Sequence, residues 1–241
     1  MKINKIGFID SGLGGLTVLK NVKKKYPHEK YLYYADNLNN PYGLKTKEEL
    51  LNITKRNIDY LINNNCNIIV LACGTISSNI YTELCYLYPD IKFIKALTNI
   101  ESKLINNKQV LFMATRRTCE SNYLQTLANN NTNLNVLSCD DLATLIELGD
   151  EQKLDDYLKK LLIPYQNIQY DTIILGCTHY PLVYNKIKKY LTFKHLVTPS
   201  IDVIKELSLI LNQTKDNGSI DIYNSKQDEN YTKRCYQILK D

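Results

Sequence analysis

Short apolar runs alternate along the chain with longer stretches in which apolar residues recur every three or four positions. The short runs cover residues 5–9, 30–34, 67–72, 91–94, 109–113, 134–137 and 172–175. They are rich in β-branched or aromatic residues and bounded by Gly, Asn or Asp, which predicts strands. The longer stretches at 47–63, 77–87, 119–128, 154–162 and 184–191 carry the helical period. This alternation predicts an α/β fold with a largely parallel sheet and helices on its faces. Ligands of such sheets bind beyond the carboxyl ends of the strands, so the residues just after each strand matter most.

Four of those strand ends are informative. They read Asp10-Ser11-Gly12-Leu13-Gly14-Gly15, Cys73-Gly74-Thr75, Ala114-Thr115 and Cys177-Thr178-His179. Cys73 and Cys177 stand 104 positions apart. The same shift carries Ile6 onto Val110, Phe8 onto Phe112, Ser11 onto Thr115, Thr17 onto Ser121, Asp36 onto Asp140 and Leu38 onto Leu142. The chain thus reads as an internal duplication: two similar three-layer α/β domains related by a pseudo-twofold axis. Their strand ends would face each other across a shared cleft, with one cysteine approaching from each side.

Composition removes several other functions. The 241 residues carry a formal charge of +5, built from 26 Lys and only 4 Arg, beside 27 Asn, 19 Tyr and no Trp. The favoured residues share AT-rich codons, so the bias reads as genomic background. The lysines are scattered, Lys23-Lys24-Lys25 being the only run of three, and nucleic acid is not an expected partner. No stretch approaches the roughly 18–20 apolar residues that cross a bilayer. The apolar piece from Ile6 to Ile9 is too short for a signal peptide, so neither a membrane nor an export route is expected, and a cytoplasmic location is. The seven cysteines are odd in number and form no CxxC pair, which argues against a disulfide framework and a zinc site.

A thiol works as a base only when ionised, and a helix N-terminus just behind it favours that form. Cys73 and Cys177 each end a strand and precede a predicted helix. Asp10 ends a neighbouring strand, and His179 follows Cys177 by two residues. Two opposed thiols suit a two-base exchange: one takes a proton from a carbon acid while the other returns one to the opposite face, inverting the centre. A cysteine hydrolase using Cys177 with His179 is a different reading, which leaves Cys73 idle. The glycine run does not complete a dinucleotide fingerprint, because the last glycine of GxGxxG would fall on Thr17. It reads instead as a tight loop feeding a helix N-terminus able to receive an anion. No cofactor motif is present, and no metal is expected.

These residues also carry a resemblance. The segment from Ile6 to Thr17 (IGFIDSGLGGLT), Pro41-Tyr42-Gly43, and the segment from Leu175 to Leu182 (LGCTHYPL) resemble the glutamate racemases of the aspartate/glutamate racemase superfamily. So do Thr115 with Thr118 and Ser121, and Leu145-Ile146-Glu147-Leu148-Gly149. The likeness runs in order over most of the chain. It implies a cofactor-independent isomerase that interconverts L- and D-glutamate, the D-form feeding peptidoglycan, and a homodimer. Carried over by position, Cys73 would exchange the proton of the D-enantiomer and Cys177 that of the L-enantiomer. Asp10 would assist near Cys73, and His179 and Glu147 near Cys177. Ser11, Tyr42, Gly43, Gly74, Thr75, Thr115, Thr118 and Thr178 would form the substrate-binding set. The family fold implies a first domain of residues 1–95 plus 206–241 and a second of 96–205, with the active site between them.

One position departs from the pattern. The family has Asn-Thr after the first cysteine, and here Gly74-Thr75 stands there. The missing amide would hydrogen-bond the substrate, so Gly74→Asn is expected to tighten glutamate binding. The departure keeps two alternatives in view: a racemase of aspartate or broader range, and a weakly active binding or regulatory protein that retains the fold. His28 and His195 read as surface residues, Arg116-Arg117 as a solvent-facing pair, and Cys66, Cys85, Cys119, Cys139 and Cys235 as structural. The tail from Asn212 onward is polar and weakly patterned.

Overall fold

The computed structural model describes residues 5–97, 102–106, 108–129, 133–211 and 217–240. Among them the strands are β1 (Ile6–Asp10), β2 (Lys30–Ala35), β3 (Ile68–Leu71), β4 (Lys92–Lys95), β5 (Val110–Ala114), β6 (Leu134–Ser138), β7 (Gln169–Leu175), β8 (Thr192–Val197) and β9 (Ser219–Asn224). The helices are α1 (Leu16–Lys25), α2 (Lys47–Asn63), α3 (Gly74–Asn79), α4 (Tyr81–Leu87), α5 (Ser102–Ile105) and α6 (Arg116–Cys119), followed by α7 (Asn122–Asn129), α8 (Leu142–Leu148), α9 (Glu151–Leu162), α10 (Tyr184–Ile187), α11 (Pro199–Ser208) and α12 (Glu229–Lys240). Two sheets form, in the orders β4-β3-β1-β2-β9 and β6-β5-β7-β8, with parallel pairing throughout.

The central strands of each sheet are buried on both faces, as parallel sheets require. Along β1, Ile6 and Phe8 join the core under α1, while Ile9 points to the core under α2. Along β5, Leu111 and Met113 face α8 and α9, and Val110 and Phe112 pack on the opposite side with Leu127 of α7. Period-two alternation thus serves two apolar layers at once. Helix α11 covers the first sheet, because its buried Val203 and Leu207 lie in the same cluster as Leu16, Leu19 and Ile94.

The register bears directly on the duplication. Ile6 pairs with Ile68 in the first sheet, and Val110 pairs with Thr172 in the second. The central strand pairs therefore keep the 104-residue shift. The flanking strands do not: Ile6 pairs with Tyr31 but Val110 with Leu134, 103 positions on. The second copy is one residue shorter between its first two strands. The amide of Asp36 donates to the Asp10 carbonyl, and the matching amide in the second copy is that of Cys139, which donates to Ala114. Asp36 is thus the counterpart of Cys139 and not of Asp140. The expected match of Leu38 with Leu142 fails in the same way, the first being exposed and the second buried.

Two strands escape the hydrophobic pattern. Strand β8 lies on an edge and is mostly exposed, so little apolar signal marks it. The helix expected at 184–191 shrinks to the four residues of α10. The continuous helices expected over 77–87 and 119–128 are each replaced by two, α3 with α4 and α6 with α7. The tail differs most. Asn212 lies outside the described residues, but β9 pairs with β2 from Lys30↔Ser219 to Ala35↔Asn224, and α12 buries Tyr231 and Cys235 in the core of the first sheet.

Candidate active site

The ends of β1, β3, β5 and β7 converge on one narrow space. Ser11, Tyr42, Gly43, Cys73, Gly74 and Thr75 line it from the first sheet; Thr115, Cys177, Thr178 and His179 line it from the second. The space is about 20 Å³, room for a water and not for an amino acid. Any larger ligand requires the two sides to part.

Cys73 follows β3 and caps α3 with extended backbone geometry. Its side chain makes no capping hydrogen bond, but the amides of Ile76 and Thr75 lie close enough to favour the thiolate. Burial nonetheless pushes the thiol up to about 12, with Asp10 and Cys177 adding to the rise and the two amides opposing it. Cys177 occupies the matching position after β7, but its surroundings differ from those expected. No α-helix starts behind it; the next element is a single 3-10 turn, Tyr180–Val183. In place of helix amides, His179 brings Nδ1 to 3.8 Å from the Cys177 sulfur.

His179 is held from behind. Its Nε2 lies 2.6 Å from Glu147 Oε1. The Leu13 amide donates to the same oxygen at 2.5 Å, and the Tyr231 hydroxyl donates to Oε2 at 3.0 Å. Burial opposes the charge on both partners, yet each wins. Hydrogen bonds donated to Cys177 and Glu147 hold His179 well above its ordinary 6.5. The His179 hydrogen bond and charge hold Glu147 below its ordinary 4.5. The pair is thus an imidazolium and a carboxylate, with side chains only 2% and 13% exposed.

That pairing gives stability a pH dependence. The raised His179 contributes fully below 6.5, and its contribution is lost as pH rises through its folded value. The lowered Glu147 contributes above 4.5, and its contribution is lost as pH falls through its folded value. Glu147→Gln leaves a buried cation unpaired and is expected to cost about 3 kcal/mol near pH 6. Urea unfolding of both proteins between pH 4 and 8 checks this. The gap should be widest where both groups are charged and should narrow towards pH 4; a gap independent of pH would contradict it.

Asp10 is fully buried at the end of β1. Its Oδ1 accepts from the Gly12 amide at 3.0 Å and its Oδ2 from the Thr178 hydroxyl at 2.9 Å. Burial raises its proton affinity, against the His179 charge and these two hydrogen bonds. Asp10 thus stands near Cys73 electrostatically while its hydrogen bond reaches the strand end of Cys177.

The glycine run has a different task from the one its sequence implies. The anion it receives is the protein's own: Glu147, through the Leu13 amide. A Cβ on Gly12 would overlap Glu147 Oε1, so glycine there is what lets α8 approach. Gly74 works the same way. A Cβ on it would overlap the carbonyl oxygen of Gly176, a backbone atom that no side-chain rotation can move. In the closed arrangement the volume that an Asn side chain at position 74 would enter is thus bordered by the opposing strand end.

A run of hydroxyls crosses between the sheets, from Thr75 to Thr115 and on to Thr118, each step 3.1 Å. Thr118 is fully buried and reaches the space only through Thr115. Tyr42 lines the space, but its hydroxyl points away, donating to Asp36 Oδ2 at 2.5 Å and accepting from Asn57 at 3.0 Å. Arg116-Arg117 is not simply solvent-facing. Arg116 pairs with Asp140, and Arg117 Nε donates to the Lys45 carbonyl at 3.0 Å. His28 and His195 are exposed, as expected.

Sequence reasoning missed Asn40, Asp140 and Ala143 in the lining, and Tyr231 behind Glu147. Asp140 follows β6, so the strand-end rule alone points to it. Tyr231 had no sequence signal.

No family model matches the chain. Individual relatives do. The glutamate racemase of Fusobacterium nucleatum is 38% identical over 237 residues, 91% of this chain and 88% of that one. A glutamate racemase of Clostridium perfringens is 33% identical over 254 residues, all of this chain and 98% of that one. The crystal structure of glutamate racemase from Francisella tularensis subsp. tularensis SCHU S4 in complex with D-glutamate is 28% identical, with a TM-score of 0.85 over all of this chain and 95% of that one.

Proposed function

The chain belongs to the glutamate racemase family and is an amino-acid racemase; on that premise we propose that it interconverts L- and D-glutamate by passing the Cα proton between Cys73 and Cys177. One observation carries the reading: the two cysteines end the equivalent strands β3 and β7 and line the same enclosed space.

From L-glutamate, the Cys177 thiolate takes the Cα proton and the bonding pair stays on carbon. The Cys73 thiol then gives its proton to the opposite face, which yields D-glutamate and leaves Cys73 ionised. Burial keeps Cys73 protonated at neutral pH, which suits it to give in this direction. The His179 imidazolium, backed by Glu147, stands at the sulfur that takes. The reverse direction exchanges the two roles, with Asp10 beside Cys73. Ser11, Gly43, Gly74, Thr75, Thr115 and Thr178 surround the substrate, while Tyr42 and Thr118 support them from behind. The α-proton is very weakly acidic, so the site must stabilise the carbanion by fixed dipoles with water excluded. The narrowness of the space supports that demand. The D-glutamate produced is a precursor of peptidoglycan.

Incubation with L-glutamate in deuterium oxide tests the proposal. Loss of optical rotation together with deuterium at Cα is the expected result. Exchange with aspartate alone would move the substrate. Saturable binding of glutamate without any exchange would overturn catalysis and leave a binding protein.

A further inference from the structure

We propose that Tyr231, on the C-terminal helix, is a positioning residue for proton transfer at Cys177, acting through Glu147 and His179. The inference rests on the two-thiol reading above and extends it to a residue outside the enclosed space.

The geometry is a relay of contacts. The Tyr231 hydroxyl donates to Glu147 Oε2 at 3.0 Å, Glu147 Oε1 meets His179 Nε2 at 2.6 Å, and His179 Nδ1 lies 3.8 Å from the Cys177 sulfur. Helix α12 grips residue 147 twice, because Arg234 Nη1 also donates to the Glu147 carbonyl at 2.9 Å. The two donors lie three residues apart on one helix face, which suits them to a single target. Most of α12 packs against the first sheet, whereas Glu147 belongs to a helix of the second. Tyr231 therefore ties the two halves together at the carboxylate that orients the imidazole.

The physical consequence follows from the donor count. Oε1 has two donors, His179 and Leu13, while the hydrogen bond described for Oε2 is that of Tyr231. A hydrogen bond to the charged form favours that form. Removing the hydroxyl leaves a buried carboxylate oxygen short of a donor and raises the proton affinity of Glu147. A Glu147 that protonates more readily holds the imidazolium less well and lets the ring turn. The other ionisable groups facing Glu147 are Asp10 and Tyr33 from the first sheet, and Arg234 and Cys235 from α12. None of them replaces the lost donor at Oε2. Burial and the Glu147 charge raise the Tyr231 phenol well above its ordinary value, so it remains a donor across the working range.

Tyr231→Phe keeps the ring and removes only the donor. In the full-length protein, kcat for glutamate racemisation is expected to fall roughly tenfold, as for other residues that orient a reacting group from behind, with KM held. The acid limb of the pH–rate profile should move to higher pH. A second measurement needs no substrate: NMR titration of the three histidine rings, in which the His179 midpoint should move down in the variant. An unchanged kcat and acid limb, in a wild type that racemises glutamate, would overturn the inference. An unmoved His179 midpoint would overturn it independently. A wild type that neither racemises nor exchanges glutamate would instead sink the proposed function, while the NMR titration still reads the Tyr231 contact.

Discussion

Cys73→Ala and Cys177→Ala are each expected to abolish glutamate racemisation in both directions, by about 10⁴-fold, the upper range for loss of a general acid or base. Inversion needs one proton removed and another delivered to the opposite face, so a site with a single thiol completes half the event. The two directions must fall together, because mirror-image products are equally stable and the equilibrium constant stays at one. The half-reaction that survives should differ between the variants. Cys73→Ala retains the thiol on the L-side, so L-glutamate should still exchange its Cα proton for deuterium without inverting. Cys177→Ala should show the same for D-glutamate. Both changes replace a small buried side chain, and circular dichroism should report an intact fold. Sustained racemisation by either variant would refute the two-thiol mechanism.

The second large effect concerns a residue with no side chain. Gly74→Ala and Gly74→Asn are both expected to lower kcat/KM about 100-fold, the scale of loss for misplacing reacting groups by about 1 Å. The added Cβ meets the Gly176 carbonyl oxygen, on the peptide immediately before Cys177. Relief of that contact separates Cys73, adjacent to Gly74, from Cys177, adjacent to Gly176. The contact thus joins the residues that neighbour the two cysteines in sequence. Steady-state kinetics alongside thermal unfolding separates this from simple destabilisation: activity should collapse with only a modest drop in melting temperature. An Asn variant that binds glutamate more tightly and turns it over as well as the wild type would restore the lost-contact reading.

The first seven strands were legible because each is an apolar-rich run between turn residues, most of them buried. Helix α2 was legible to the residue, since Thr46 and Glu49 form a capping box at its start. Strand β8 was not, because an exposed edge strand leaves no apolar stripe. Strand β9 was hidden by its alternation of Ile220, Asp221 and Ile222, too short to stand out from a polar tail. At the site, the two cysteines were found by their shared position after equivalent strands. Their different environments were not, because the hydrogen bond between Cys177 and His179 depends on the 3-10 turn that follows. At Gly74 the sequence shows which side chain is missing and not that the Gly176 carbonyl lies against its volume. Tyr231 is distant from Glu147 along the chain, and only the return of α12 brings them together.

That return also orders the events of synthesis. Strand β9 and helix α12 lie at residues 219–240 and are made only after both cysteines have been. Until then β2 has a bare edge, and its run Tyr31-Leu32-Tyr33-Tyr34 offers apolar side chains and unpaired backbone groups to another chain. The first sheet is therefore open to aggregation from the time β2 is made until β9 follows it. A nascent chain stalled or cut before residue 219 would carry both cysteines and still lack the strand that seals its first sheet.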